Sequence, residues 1–190
     1  MCFGYLDDFT SGGPASTVAQ DLEFIASNSS NMDLDLNMSK CELISDTPSK
    51  AGCILDSFIH VKPEQATLLG APLFLGTALN DTIDNFQAGF TRASKRLSLI
   101  SAHDAIIILR NSLSAPKFAY VLSSSPCAGH PGLVDCDHLL RESLSSVVNC
   151  QLSDSQWLQA CLPISMGGFG VRSVSSLAPS AFLASAAGSR

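Results

Sequence analysis

The chain has 190 residues, 46% apolar and only 15% charged, with a net charge of −6 and a mean hydropathy of +0.25. That length and apolar share are enough for one sizeable core, or one core with a smaller satellite, so disorder is not the default. The longest apolar run, at 105–109, is far shorter than the roughly 20 residues of a membrane span, and Met1 leads into no secretory leader, so an intracellular address, cytoplasmic or nuclear, is expected, with no membrane partner.

In chain order, residues 1–6 and 9–10 read as the short arms of a β-hairpin with Asp7 and Asp8 exposed at its tip. After the break Ser11-Gly12-Gly13-Pro14, the spacing of Val18, Leu22, Ile25 and Ala26 predicts a helix over 15–28. Leu34, Leu36 and Met38 alternate with polar neighbours, and 40–44 is another short extended run. Segments 53–61 and 68–75 read as strands around a turn at Pro63, the second interrupted by Gly70, Pro72 and Gly76 and therefore an edge or a bent hairpin.

Beyond Asn80 the period changes. Ile83, Phe86, Phe90, Ala93, Leu97 and Ile100 step by three and four, predicting a helix of about twenty residues with a continuous buried face. Helices over 105–113 and 117–122, separated by Pro116, and over 133–148 follow, then a Pro- and Gly-punctuated loop over 162–172 and a small-residue helix over 177–187. The expectation is an α+β fold in two parts, 1–78 mixed and 79–190 all helical.

Charge follows this division. Residues 1–64 carry ten Asp/Glu and three Lys, whereas 65–190 carry seven Asp/Glu and eight Lys/Arg. An acidic segment beside a mildly basic one fits a metal site next to a module that holds a polyanion, and fits ordinary surface chemistry too. The seven cysteines, at 2, 41, 53, 127, 136, 150 and 161, are odd in number and form no Cys-x-x-Cys pair, against a disulfide framework or a zinc ribbon. Cys127, His130, Cys136 and His138 lie within twelve residues, but their spacing matches no common zinc finger and they read as loop and helix-start residues.

The stretch Phe3-Gly4-Tyr5-Leu6-Asp7-Asp8-Phe9 carries the most chemistry. Two adjacent carboxylates repel unless a divalent cation sits between them, and Mg²⁺ prefers such hard oxygen ligands. An Asp-Asp pair is also a common turn. With the segments that follow it, however, the pair resembles the reverse transcriptases of non-LTR (LINE-like) retrotransposons. That family has an aromatic-x-Asp-Asp hairpin, a helix, a Leu-x-Leu-Asn-x-x-Lys-x-Glu segment and a Leu-Leu-Gly hairpin. This chain has Tyr5-Leu6-Asp7-Asp8, Leu34-Asp35-Leu36-Asn37-Met38-Ser39-Lys40-Cys41-Glu42 and Leu68-Leu69-Gly70-Ala71 in the same order. Further on, Trp157-Leu158-Gln159-Ala160 and Gly167-Gly168-Phe169-Gly170-Val171-Arg172 look like the region after the thumb in such elements.

The resemblance implies a partial palm-type antiparallel sheet with a packed helix over 1–78, and a thumb and post-thumb region over 79–190. By the same resemblance Asp7 binds catalytic Mg²⁺ (or Mn²⁺), with Asp8 its neighbour in a smaller part, and Lys40 lies near the triphosphate of a deoxynucleotide. Leu69, Gly70 and Ala71 match the primer-grip hairpin. Arg92, Lys95 and Arg96 share a helix face that in a thumb would contact duplex phosphates. The partners implied are an RNA template, a DNA primer and deoxynucleoside triphosphates. The bland alternatives are a solvated strand-end lysine, a glycine-kinked edge strand and a solvated helix face. The family's first palm aspartate and its fingers have no counterpart here, so polymerisation by these residues alone is not expected. A silent nucleic-acid-binding module and an unrelated Asp-Asp phosphohydrolase stand as alternatives.

Overall fold

The computed structural model describes residues 2–5, 8–29, 31, 33–46 and 54–188 and divides the chain into two compact units, Met1–Pro63 and Glu64–Arg190. Helix predominates in a mixed α+β chain.

In the first unit, β1 (Cys2–Tyr5) and β2 (Asp8–Ser11) form an antiparallel hairpin in which Tyr5 stands opposite Asp8. Helix α1 (Ala15–Ser29) begins where the Pro14 carbonyl accepts from the amides of Thr17 and Val18 at 2.9 and 3.1 Å. Its inward face buries Ala19 and Leu22 with Leu55, and Val18, Leu43, Ile54 and Phe58 close around them. β3 (Glu42–Ile44) pairs with β4 (Ile59–Val61) in parallel.

Two expected strands take other forms. The alternation at 34–38 yields no strand, because the residues after it wind into a 3₁₀ turn at Met38–Lys40. Of the expected 53–61 strand, Ile54–Ser57 is a 3₁₀ turn that carries Leu55 into the small core, leaving only Ile59–Val61 extended; Cys53 lies outside the described residues.

The second unit opens with β5 (Thr67–Leu68) and β6 (Ala71–Pro72), a tight hairpin in place of a long strand over 68–75. Residues 64–78, expected with the first half of the chain, belong here. Ala66 and Ala71 are buried, the Leu73 amide donates to the Ala66 carbonyl at 3.1 Å, and the Tyr120 hydroxyl donates to the Leu69 carbonyl at 2.6 Å. The Tyr120 hydroxyl thus ties the hairpin to the helix at Ala115–Ser124 within the second unit.

Helix α2 (Thr77–Leu97) follows the predicted period and buries Leu79, Ile83, Phe90 and Leu97. Then come α3 (Ala102–Ile108), α4 (Ala115–Ser124), α5 (Pro131–Val147), α6 (Asp154–Cys161) and α7 (Val174–Gly188). Between α3 and α4 the backbone widens into a π turn at Leu109–Leu113, and the Ser114 amide reaches back five residues to the Leu109 carbonyl. Pro116 begins α4 in its first turn, where its missing N–H would have had no partner within the helix.

Leu109, Phe118, Leu122, Leu133, Leu140, Leu144, Val171 and Val174 join the α2 face in one core. The Phe86 and Phe118 rings meet in it at 5.1 Å, tilted by 57°, a favourable edge-on geometry. α4 packs along α7 and α2 along α5.

Side chains make the helix starts. Ser101 accepts from the Asp104 amide, and Ser153 and Gln156 form a reciprocal capping box that starts α6, a helix that period alone does not predict. His130 starts α5 by accepting the Gly132 amide on Nδ1 at 3.1 Å, with its Nε2 2.8 Å from Asn80 Oδ1. The start of α7 is held from outside: Asp137, on α5, accepts from the amides of Val174 and Ser175 at 2.6 and 3.2 Å and from the Ser173 hydroxyl at 2.8 Å.

Candidate functional site

Asp7 lies outside the described residues. Asp8 is exposed at the start of β2, opposite Tyr5 of β1. Lys40 is exposed as the last residue of its 3₁₀ turn, its amide bonded to the Asn37 carbonyl at 3.1 Å. Among the described residues no hydrogen bond or ion pair joins Asp8 to Lys40, and no strand pairing joins β1–β2 to β3–β4.

A two-cation site needs carboxylates converging from more than one segment. Among the described residues no group of three or more His, Cys, Asp or Glu side chains is arranged to hold a metal ion. The described residues therefore do not by themselves fit a catalytic cation pair. Cys127 and Cys136 are buried in the helical core, His130 is taken up by its cap and His138 is exposed. His60 and His103 are both exposed.

Leu69 and Gly70 form the two-residue turn between β5 and β6, with φ of 50° and 79°. Positive φ at both positions is what a type I′ hairpin turn needs, and leucine meets it at a cost of about 1–2 kcal/mol. Leu69 is half exposed, a Cβ on Gly70 would meet nothing within 4 Å, and Ala71 is buried beneath the turn. The hairpin thus presents an apolar side chain on a strained, open turn.

Arg92, Lys95 and Arg96 are all exposed near the C-terminal end of α2, on the side away from Phe90 and Leu97. Cations there complement the negative end of the helix dipole. None has a carboxylate partner among the described residues. A fourth cation joins them that sequence reading missed: Lys117, half-buried in the first turn of α4, reaches across α2 at Gly89. A glycine at 89 inside a helical period was the one local signal; the approach of a side chain 28 positions away has none.

An open groove of about 540 Å³ runs between α5, α6 and the start of α7, with Val134, Trp157, Leu158 and Leu177 on its walls. Two of its polar groups, Arg141 and Asp137, are engaged in holding the fold. Arg141 donates to Asp154 at 2.7 Å and to the Leu152 carbonyl, and Asp137 caps α7. The Gly167-Gly168-Phe169-Gly170 run is a structural turn: the Phe169 and Gly170 amides donate to the carbonyls of Ala160 and Leu162 at the end of α6.

No described helix is long and apolar enough to cross a membrane. Comparison with protein-family models, with curated proteins and with solved structures finds no match to this chain.

Proposed function

We propose that the chain is the C-terminal palm and thumb portion of a retrotransposon reverse transcriptase, silent alone and competent for RNA-directed DNA synthesis only when joined to the rest of a palm. One observation carries the reading: the order Tyr5-Leu6-Asp7-Asp8, Leu34 to Glu42 and Leu68-Leu69-Gly70, with hairpins at both outer segments. Asp7, Asp8 and Lys40 are its reacting-centre residues, and Leu69, Gly70 and Ala71 its primer-side hairpin. The template is RNA, the primer DNA and the substrates deoxynucleoside triphosphates. Mg²⁺ or Mn²⁺ is held only once a further carboxylate joins the Asp7 and Asp8 pair, because one hairpin tip cannot close a two-ion site. Such an enzyme works inside the cell, in cytoplasm or nucleus.

The test is primer extension on an RNA template with Mg²⁺ or Mn²⁺. The 190 residues alone are expected to give no product, whereas fusion to a palm segment bearing the missing aspartate restores extension that Asp7→Ala abolishes. Extension by the chain alone overturns the claim of incompleteness. No extension after fusion, with the fused protein folded, overturns the family assignment.

A second reading is favoured by the cations of α2, exposed and without carboxylate partners among the described residues: a nucleic-acid-binding module without catalysis. It expects salt-dependent binding to a duplex that disappears when Arg92, Lys95 and Arg96 are all changed to Gln. Duplex binding indifferent to those changes counts against it.

A further inference from the structure

Three choices around Gly89 are unfavourable in isolation. A glycine in the middle of a 21-residue helix costs about 1 kcal/mol relative to alanine. Lys117 stands in the first turn of α4, at the positive end of that helix, where a cation is disfavoured. And two cations are brought together without a carboxylate among the described residues to separate them.

The geometry links the three. The Lys117 ammonium lies 3.4 Å, and the Arg92 Nη2 4.0 Å, from the point where a Cβ of residue 89 would stand. The two nitrogens can therefore be no farther apart than the sum of those distances. One phosphate group spans that gap, taking charge-assisted hydrogen bonds of about 2.8 Å on two of its oxygens. Lys117 is half-buried and its ammonium lies against α2 at Gly89, so its charge is presented at a defined spot. Local rules broken together at one point, with no gain inside the protein, mark a place built for something outside it.

We infer that Gly89, Arg92 and Lys117 form a notch that holds a single phosphate group, the lack of any long side chain at residue 89 leaving the point between the ammonium and the guanidinium open. The phosphate belongs to a nucleic-acid backbone or to a free nucleotide. The first source rests on the nucleic-acid-binding reading above and adds to it a fixed register for one phosphate.

Gly89→Leu separates a built notch from a charged surface, because it keeps every charge while occupying the convergence point. Fluorescence anisotropy with a labelled 20-bp DNA duplex, over a series of salt concentrations, is expected to show Gly89→Leu, Arg92→Gln and Lys117→Gln each weakening binding by about three- to tenfold. In each the log–log salt slope falls by about 0.9, one phosphate contact on duplex DNA. The Arg92→Gln/Lys117→Gln double variant should lose less than the product of the two singles, since both side chains serve one phosphate. Gly89→Ala, which strengthens the helix, and circular dichroism of every variant control for folding.

Calorimetric titration with dATP and with inorganic phosphate forms the second arm. If the duplex binds and loses affinity in Gly89→Leu, the notch holds a backbone phosphate. If the duplex fails to bind but dATP or phosphate binds and is lost in both Gly89→Leu and Lys117→Gln, the notch stands, its source is free, and the nucleic-acid reading falls. If the duplex binds equally to the parent and to folded Gly89→Leu, or if neither kind of probe binds, the notch is refuted.

Discussion

Replacing Asp137 by Ala removes the carboxylate that starts α7 and leaves only the Ser173 hydroxyl, which accepts the Ser176 amide at 3.2 Å, among the described side-chain acceptors there. In the folded chain its carboxylate takes the Val174 amide at 2.6 Å, the Ser175 amide at 3.2 Å and the hydroxyls of Ser173 and Ser175. Losing a helix cap costs about 1–2 kcal/mol. The charge itself, at the positive end of a helix, adds roughly 0.3–1 kcal/mol more. The Val174 side chain is fully buried, so water reaches the orphaned amide poorly and a desolvation penalty of about 1–3 kcal/mol applies in part. Together these set a loss of about 3 kcal/mol for Asp137→Ala. Asp137→Asn keeps one acceptor oxygen and no charge, so about half of that loss is expected. Urea denaturation followed by far-ultraviolet circular dichroism measures both. Since α7 packs along α4, the loss should appear as a lower midpoint of one cooperative transition. A change under 0.5 kcal/mol for Asp137→Ala would refute the assignment of α7's start to this carboxylate.

Gly168→Ala should destabilise by about 3–5 kcal/mol or prevent folding, because its Cβ would stand 2.0 Å from the Leu162 carbonyl oxygen; Gly129→Ala, where only φ of 80° opposes the change, should cost about 1 kcal/mol. Comparable losses in the two would show that the turn relaxes freely. Leu69→Asn should raise the melting temperature by a few degrees, since asparagine tolerates the φ of 50° and Asn-Gly suits a type I′ turn, while lowering duplex affinity if the exposed leucine serves contact; a fall in melting temperature would show that the leucine packs more than its exposure implies.

Burial raises the Cys136 and Cys161 thiols to about 11, above the ordinary 9.0. A raised folded value means this contribution is whole below about pH 9 and is lost as pH climbs through about 11. Folding stability should therefore drop over that window, by at most about 2–3 kcal/mol from the buried Cys136, and Cys136→Ala should flatten the drop when urea midpoints are compared; parallel curves for parent and variant would sink the argument. Residues 64–190 expressed alone should unfold cooperatively with a helical spectrum, whereas 1–63 alone should not, as calorimetry of the two pieces will show; a sharp transition in the shorter piece would contradict the small core assigned to it.

The helical half was legible where a long period could be read. Ile83, Phe86, Phe90 and Leu97 mark the inner face of α2 from spacing alone, and their burial in the folded chain follows it closely. What escaped depends on contacts between distant residues. α6 spans eight residues with little apolar period; its start is set by the Ser153–Gln156 box and its inner face by Ala160 and Trp157 on the core, and only the Ser-x-x-Gln spacing was there to be read. The 53–61 segment has strand composition, yet α1 draws Leu55 inward and a turn wins over extension. Of the candidate site, the exposure of Arg92, Lys95 and Arg96 could be read from their position on the helix. Lys117 could not, since its meeting with Arg92 depends on how α4 crosses α2.

The inequality of the two units bears on the proposed chemistry. Among the described residues, eighteen buried ones form the core of the second unit, whereas Ala19, Leu22 and Leu55 are those of the first. A two-stranded hairpin by itself is marginal in water, and no residue of β1 or β2 is among the described members of that small core. Metal-assisted transfer requires its carboxylates held to about 0.5 Å. Phe9, exposed on β2 beside Asp8, is the kind of side chain a further strand or partner surface would cover. In the proposed reading one addition does two things at once: added palm strands bury that apolar edge and, in the same act, fix the carboxylates beside it. Rigidity of the hairpin and cation affinity should then rise together, because both depend on the same strand pairing.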